Sequence, residues 1–427
     1  MNLLRSNINT FGSPIHYGWI VMAITFFTLF MSAGIRTAPT VVIVPLESYF
    51  GWSRTLISFA LAVNLLLYGL CGPFSAALME LYGVRRVISF ALLLLSIGAG
   101  LSTFMQAAWQ MVVLWGLIIG LGTGSLSNVF GTVIATRWFA RYRGVVLGIF
   151  SAATATGQLI FLPFFAKILE THTWHSIFFF ISGATLFFMA VIGLLMRDKP
   201  EDVGLSPYGA AVAASTVPTV KGNPFFLVFS GLKRAVHVKD FWLLSGSFFV
   251  CGATTFGIIG THFVPACLDH GFSSIAAAGL LSTAGIFNIL GATGSGWLSD
   301  KFDNRRLLFW YYSLRGLALA FLPRGLAPDN ALLFFFIIFY GLDWTATVPP
   351  TIRLATGIFG NQGSIIFGWL MVIHQIGAAL AAFGSGALHT AHGSYLWSFI
   401  TGVILCAIAA GLVLNIDGRS APETENY

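Results

Sequence analysis

Charged and titratable side chains inside long apolar runs are the first places to look for chemistry. Each is costly in a bilayer unless it is paired or wetted. Asp343 is the plainest case. It stands in Gly341-Leu-Asp343-Trp344-Thr-Ala-Thr347-Val-Pro349-Pro350, near the middle of an apolar run. A carboxylate there suits proton coupling or cation binding, and the two prolines leave backbone carbonyls free to face a cavity. A structural ion pair with Arg315, in the preceding run, is the alternative. Arg36 lies in the outer part of the first run. Its guanidinium can hold an anion through two parallel hydrogen bonds, or it can snorkel to the membrane surface. His262, in Gly260-Thr-His262-Phe-Val-Pro265, and His374, followed by Gln375, can titrate near neutral pH. Either can equally hydrogen-bond a neighbouring helix. Asn128 and Gln158 offer neutral hydrogen bonds.

Other chemistry finds no support. Cys71, Cys251, Cys267 and Cys406 lack ligand spacing and suit small buried hydrophobes, so no metal or other cofactor is expected. His389 and His392 fall in a loop without ligand-like context and are set aside. Gly120-Leu-Gly122-Thr-Gly124 imitates a dinucleotide fingerprint, but it lies within an apolar run and follows no strand. Close helix packing explains it better. No phosphate-cradling G-x-x-x-x-G-K-[ST] run occurs, which removes ATP-driven transport. No catalytic constellation appears, so the chain is not expected to be an enzyme.

The elements that must position these residues are membrane helices. Hydrophobic residues make up 57% of 427 positions and charged ones 9%, against about 25% charged in soluble domains; mean hydropathy is +0.85. Runs of about 20 apolar residues each span a bilayer as helix. Spans are expected at about 17–45, 55–79, 87–107, 109–136, 144–168, 177–196, 241–267, 274–298, 306–323, 331–355, 364–388 and 395–416. The ~10-residue alternating segments of a β-barrel are absent. The first run, from Tyr17, is too long for a signal-peptide core and is expected to be the first membrane helix.

The net charge of +7 does not indicate nucleic acid, because the positive residues sit in short loops between spans. If the spans alternate, Arg85, Arg86, Arg137, Arg141, Arg143, Lys301, Arg305, Arg306 and the cations of the loop over 197–240 share one side. The other side holds chiefly Arg54, Lys167 and Arg324. The positive-inside rule then places both termini and the long loop in the cytoplasm. That loop divides the chain into a first bundle over 1–196, a linker over 197–240 and a second bundle with a short tail over 241–427. Its stretch from Gly209 to Pro218 suits a flexible connection.

The halves repeat at an offset of about 220 residues. Pro45, Gly51 and Ser53 fall on Pro265, Gly271 and Ser273; Glu80 falls on Asp300; Arg85-Arg86 falls on Arg305-Arg306. Thr136-Arg137-Trp138-Phe139 falls on Thr356-Gly357-Ile358-Phe359. Parallel six-helix repeats with a site between them are a transporter architecture. The fold class is therefore an all-α membrane protein of about twelve transmembrane helices in two pseudo-symmetric six-helix bundles.

Gly296-Trp-Leu-Ser-Asp300-Lys-Phe-Asp-Asn-Arg305-Arg306 resembles the loop signature of the major facilitator superfamily, G-x-L-a-D-r-x-G-r-[KR]. Ala76-Ala-Leu-Met-Glu80-Leu-Tyr-Gly83-Val-Arg85-Arg86 resembles its first-half copy, and Arg137-Trp-Phe-Ala-Arg141-Tyr-Arg143-Gly144 the loop after span four. Tyr17-Gly-Trp19, Gly34-Ile-Arg36, Phe50-Gly-Trp-Ser-Arg54 and Arg197-Asp-Lys-Pro-Glu-Asp-Val-Gly204 resemble bacterial members related to monocarboxylate and oxalate/formate carriers. Span eight carries only Asn288 where monocarboxylate carriers have an Asp/Arg pair.

The resemblance implies a cavity lined by spans one, four, seven and ten. Arg36, Asn128, His262, Trp344 and His374 would then contact solute, and Asp343 would carry the coupling proton. Glu80, Arg85, Arg86, Asp300, Arg305 and Arg306 would bias the conformational change through charge and helix-terminus contacts. The expected protein is a monomeric carrier of the bacterial inner membrane. It would move a small organic anion such as a carboxylate with protons, by symport or antiport. Export of drug-like compounds, import of a metal chelate such as a siderophore, a nutrient sensor and a membrane-embedded enzyme are the other readings.

Overall fold

A computed structural model describes residues 16–210, 229, 232–327 and 331–417, with the side chains of Asn128, Asn361 and Ser364 outside the described set. Twelve helical segments of spanning length run through these residues. They are α1 (Tyr17–Phe50), α2 (Arg54–Tyr82), α3 (Val84–Ser102), α4 (Ala108–Trp138), α5 (Arg143–Thr171) and α6 (Trp174–Leu195) in the first half. The second half holds α7 (Lys239–Asp269), α8 (Ser274–Ser299), α9 (Asn304–Gly325), α10 (Leu332–Phe359), α11 (Gly363–His392) and α12 (Leu396–Leu414). Eleven are long and apolar enough to cross a membrane. α9 is 22 residues long but less apolar, because it carries Arg305, Arg306, Arg315 and Arg324. The chain is thus a multi-pass membrane protein, and no strand occurs among the described residues.

The repeat is visible in local geometry. α1 ends at Gly51 (φ 70°) and α7 is followed by Gly271 (φ 84°), a left-handed turn that glycine adopts without a Cβ clash. Ser53 then caps α2 by accepting from the Leu56 N–H, and Ser273 caps α8 by accepting from Ala276. Both fourth helices break at matching places. α4 breaks at Leu126–Ser127, and α10 breaks in the turn between Asp343 and Val348.

Within each half, helices approach backbone to backbone through small residues, the packing that membrane interiors favour. A Cβ on Gly157 of α5 would stand 2.3 Å from the Phe30 carbonyl oxygen of α1. One on Gly377 of α11 would stand 2.1 Å from that of Phe249 on α7. The halves meet where α2 packs on α11, α5 on α8 and α1 on α7. Phe90, Phe187 and Phe334 are exposed on the outside of the bundle, as a lipid-facing surface requires. The start of the loop between the halves docks on the first half, with Tyr208 N–H donating to Trp138 and Tyr208 C=O accepting from Ala140. The flexible stretch expected over 209–218 lies outside the described residues apart from 209 and 210.

A candidate solute cavity and the charge clusters around it

Between the halves lies a small, partly open cavity of about 70 Å³. The first half supplies Arg36 and Thr40 from α1, Asn64 and Tyr68 from α2, and Gln158 from α5. The second half supplies Phe256 and Thr261 from α7, Ser282 and Asn288 from α8, and Trp344 from α10. The lining therefore draws on α2, α5 and α8 as well as on α1, α7 and α10, and no described side chain of α4 is part of it. Arg36 donates to the Tyr68 hydroxyl at 2.9 Å. Its guanidinium carbon sits 4.2 Å from the Tyr68 ring centroid and 5.4 Å from that of Phe256. No carboxylate pairs with it among the described residues. Most of its five donors thus remain available to the cavity, in a fork suited to a carboxylate. The Ser282 hydroxyl is buried without a protein partner.

Asp343 is not in this lining. Its carboxylate is held by the Arg315 Nε, inside the second half. Arg315 is fully buried and satisfied on every nitrogen. It donates to Thr255 Oγ1 (2.9 Å), Thr254 Oγ1 (3.2 Å), Cys251 Sγ (3.3 Å) and the carbonyls of Asp343 (2.8 Å) and Trp344 (3.3 Å). α7 widens into π-helical turns over Ala253–Ile259, which turn Thr254 and Thr255 toward Arg315 and Phe256 toward the cavity. The sequence explains the demand for these bonds. Pro350 has no N–H for the Ala346 carbonyl, and Ser295 donates to that oxygen instead. Asn288 accepts from both the N–H and the hydroxyl of Thr345. Polar side chains thus stitch the break in α10, and the break places Trp344 against the cavity.

The other expected contacts are distributed differently. His262 is wholly buried away from the lining. Its Nε2 lies 2.8 Å from the Ala382 carbonyl, which can only accept, so Nε2 carries hydrogen. Its Nδ1 lies 3.0 Å from the Tyr395 hydroxyl. His374 sits between α11 and α7, with its ring 4.8 Å from Phe248 and 5.7 Å from Phe256, and its Nδ1 has no partner. Asn128 begins the second segment of α4; its side chain lies outside the described residues.

The two faces of the molecule differ in how charge is used. The face bearing the described ends of the chain is called here the terminal face. There Glu80 of α2 pairs with Arg137 of α4 at 2.7 Å, and Asp300 of α8 pairs with Arg353 of α10. The loop arginines take other partners. The Arg85 N–H donates to Asp198 at 2.8 Å and its guanidinium reaches the Gly193 carbonyl. Arg305 binds Asp303 and the Ile416 carbonyl, and Arg306 is exposed. These loop arginines hold Asp303 below the usual carboxylate range, chiefly through the Arg305 hydrogen bonds. Each ion pair described on this face stays within one half.

On the opposite face one cluster joins the halves. Arg54, 5% exposed at the start of α2, forks onto both oxygens of Asp269 on α7 at 2.5 and 2.6 Å. Its Nε donates to Glu47 at 2.7 Å. Its Nη1 also lies 3.0 Å from His389 Nε2 and 3.2 Å from the Tyr395 hydroxyl. Thr55 donates to Thr390, and deeper between the halves Thr40 donates to the Gly260 carbonyl. Sequence reasoning passed over Arg54, Asp269, His389 and Tyr395. The available signal was the sparse charge of that face, where each remaining ion needs a reason.

Comparison with known proteins places this geometry. The family model of the Major Facilitator Superfamily matches residues 22–367. The uncharacterized MFS-type transporter YcxA of Bacillus subtilis (strain 168) is 24% identical over 422 residues, covering 96% of this chain and 98% of that protein. Monocarboxylate transporter 13 of Bos taurus is 24% identical over 404 residues, covering 94% and 89%. Among solved structures, a bacterial homolog of the human lysosomal transporter Spinster aligns with TM-score 0.74 at 16% identity, over 96% of this chain and 100% of that one. A D-xylose-proton symporter aligns with TM-score 0.74 at 15% identity, over 95% and 100%.

Proposed function

Because the chain belongs to the Major Facilitator Superfamily and is a membrane transporter rather than an enzyme, we propose that it carries a small organic monocarboxylate by proton-coupled alternating access. Arg36 supports this reading most directly. It is a cation in a cavity between two pseudo-symmetric halves, bound among the described residues to one hydroxyl and two aromatic faces. A single cation fits a single carboxylate, since a second anionic group would lack a partner. The aromatic walls, Tyr68, Phe256 and Trp344, suit an apolar body on the same solute. The arginine-rich terminal face is the cytoplasmic one by the positive-inside rule, and the membrane is a bacterial inner membrane. A single chain carries both halves and is taken to act as a monomer.

Benzoate and benzamide, one anionic and one neutral with the same ring, test the reading in proteoliposomes. Benzoate should compete for the cavity and benzamide should not; Arg36→Ala should remove that preference. Equal losses for both probes would mean that Arg36 acts on folding. Proton coupling predicts that an imposed pH gradient drives benzoate accumulation. Asp343 can serve that coupling only by leaving Arg315. Accumulation that persists in a well-folded Asp343→Asn protein removes Asp343 from the mechanism.

A further inference from the structure

The cluster on the proposed outer face contains an internal conflict. His389 Nε2 lies 3.0 Å from Asp269 Oδ2 and 3.0 Å from Arg54 Nη1. That nitrogen has one position for hydrogen or lone pair. With a proton it donates to Asp269; without one it accepts from Arg54. It cannot do both. The partners also come from different halves. Asp269 on α7 and His389 on α11 belong to the second half, while Arg54 on α2 and its neighbour Glu47 on α1 belong to the first. Separation of the halves on this face leaves Asp269 and His389 together and takes Arg54 and Glu47 away as a pair.

We propose that Asp269 and His389 form a proton-binding site at the outer mouth, for which Arg54 of the opposite half competes. A proton on His389 shares the Asp269 charge with Arg54 and sets two cationic donors 3.0 Å apart, so the latch releases. Docking of Arg54 places a donor 3.0 Å from the same imidazole nitrogen, which must then accept and so cannot carry hydrogen. Glu47 faces Arg54 from its Nε side at 2.7 Å and leaves with it. The remaining titratable groups around the site are His262, linked through Tyr395, and His270 and His392. The last two have Nδ1 turned to the Ala266 and Leu388 carbonyls of their own helices. By linkage, a gate that releases one proton on closing opens as pH falls, its open-to-closed ratio changing at most about tenfold per pH unit. This names the coupling-proton site of the carrier proposed above and rests on its two-state rocking.

The test needs no solute. Spin labels on Thr173→Cys and Ala327→Cys, in a Cys71→Ser background, report the separation of the halves on this face by pulsed electron resonance in nanodiscs. Wild type should shift from short to long distances between pH 8 and pH 5, the window in which imidazoles titrate. His389→Gln should stay short and flat across that window, and His262→Gln should respond as wild type. Arg54→Gln should be long at both ends. A pH response retained in His389→Gln, a flat wild type, or a response lost in His262→Gln overturns the proton site. Short distances in Arg54→Gln at every pH would overturn the competition by Arg54, whereas short distances in every protein at every pH would sink the rocking mechanism itself.

Discussion

Arg36 and Arg315 are both arginines inside the membrane, one in each half, and they are used in opposite ways. Every nitrogen of Arg315 is bound by protein, including a carboxylate and two backbone carbonyls. Arg36 has one hydroxyl and two ring faces. A cation that the protein satisfies completely is part of the scaffold. One left short of acceptors beside a cavity is prepared for a ligand. The repeat sharpens the contrast. At the 220-residue offset Arg315 falls on Leu95 and Asp343 on Thr123, and both first-half residues are buried. The first half therefore fills the same place with an apolar side chain and a hydroxyl that bonds its own helix. Neither the fold nor a break in the fourth helix requires an ion pair there, since α4 breaks at the matching place without one; the pair belongs to the second half's own turn beside Trp344.

This comparison can be broken in several ways. The largest effect is expected from Arg315→Met, which strands the buried Asp343 charge and should cost about 3–5 kcal/mol of stability. Thermal denaturation in detergent would show it, and an unchanged midpoint would mean that the pair is dispensable. Adding Asp343→Thr to Arg315→Leu imposes the first-half solution and should recover most of that loss, while transport falls because Trp344 loses its setting. Arg36→Met should leave the midpoint unchanged or raised and weaken carboxylate binding by about 2–5 kcal/mol, read by titration with benzoate. Ser295→Ala exposes the need for the Ala346 carbonyl bond and should cost about 1 kcal/mol. Glu80→Gln and Asp300→Asn break half-exposed pairs and should each change stability by less than about 1 kcal/mol. Their effect should appear in the ratio of open to closed states.

Much of the architecture was legible because its causes are local. Twelve apolar runs set the helices, and Gly51-x-Ser53 and Gly271-x-Ser273 end one helix and cap the next from within three residues. Side-chain partnerships were less legible because they depend on packing. The motif arginines Arg85 and Arg305 stand closest in sequence to Glu80 and Asp300, yet Arg137 and Arg353 take those carboxylates. Those two do not fall on each other at the repeat offset, so alignment of the halves could not reveal the pairing. The ion pair of Arg315 with Asp343 was visible as an alternative, because one cation and one anion stood in adjacent spans. His389 looked idle because its partners are 120 and 335 residues away in sequence. The span expected over 306–323 is present as α9, but it is the one that falls short in hydropathy among the twelve described, because its arginines lower it.

α2 meets α11 closely at two places: a Cβ on Gly386 would come within 2.2 Å of the Ser58 hydroxyl, and one on Gly69 within 2.5 Å of the Gln375 side chain. We take the second as the pivot of the proposed rocking. Arg54 lies 15 residues along α2 from it, a lever arm of about 22 Å. A tilt of about 10° would sweep the guanidinium through about 4 Å. That exceeds what hydrogen bonds of 2.5 and 2.6 Å to Asp269 can follow. Toward the other end, Glu80 lies 11 residues from the same point and swings the opposite way through about 3 Å. If α2 rocks about that point as proposed, its leverage would turn a modest rotation into a broken clasp on one face and a displaced carboxylate on the other.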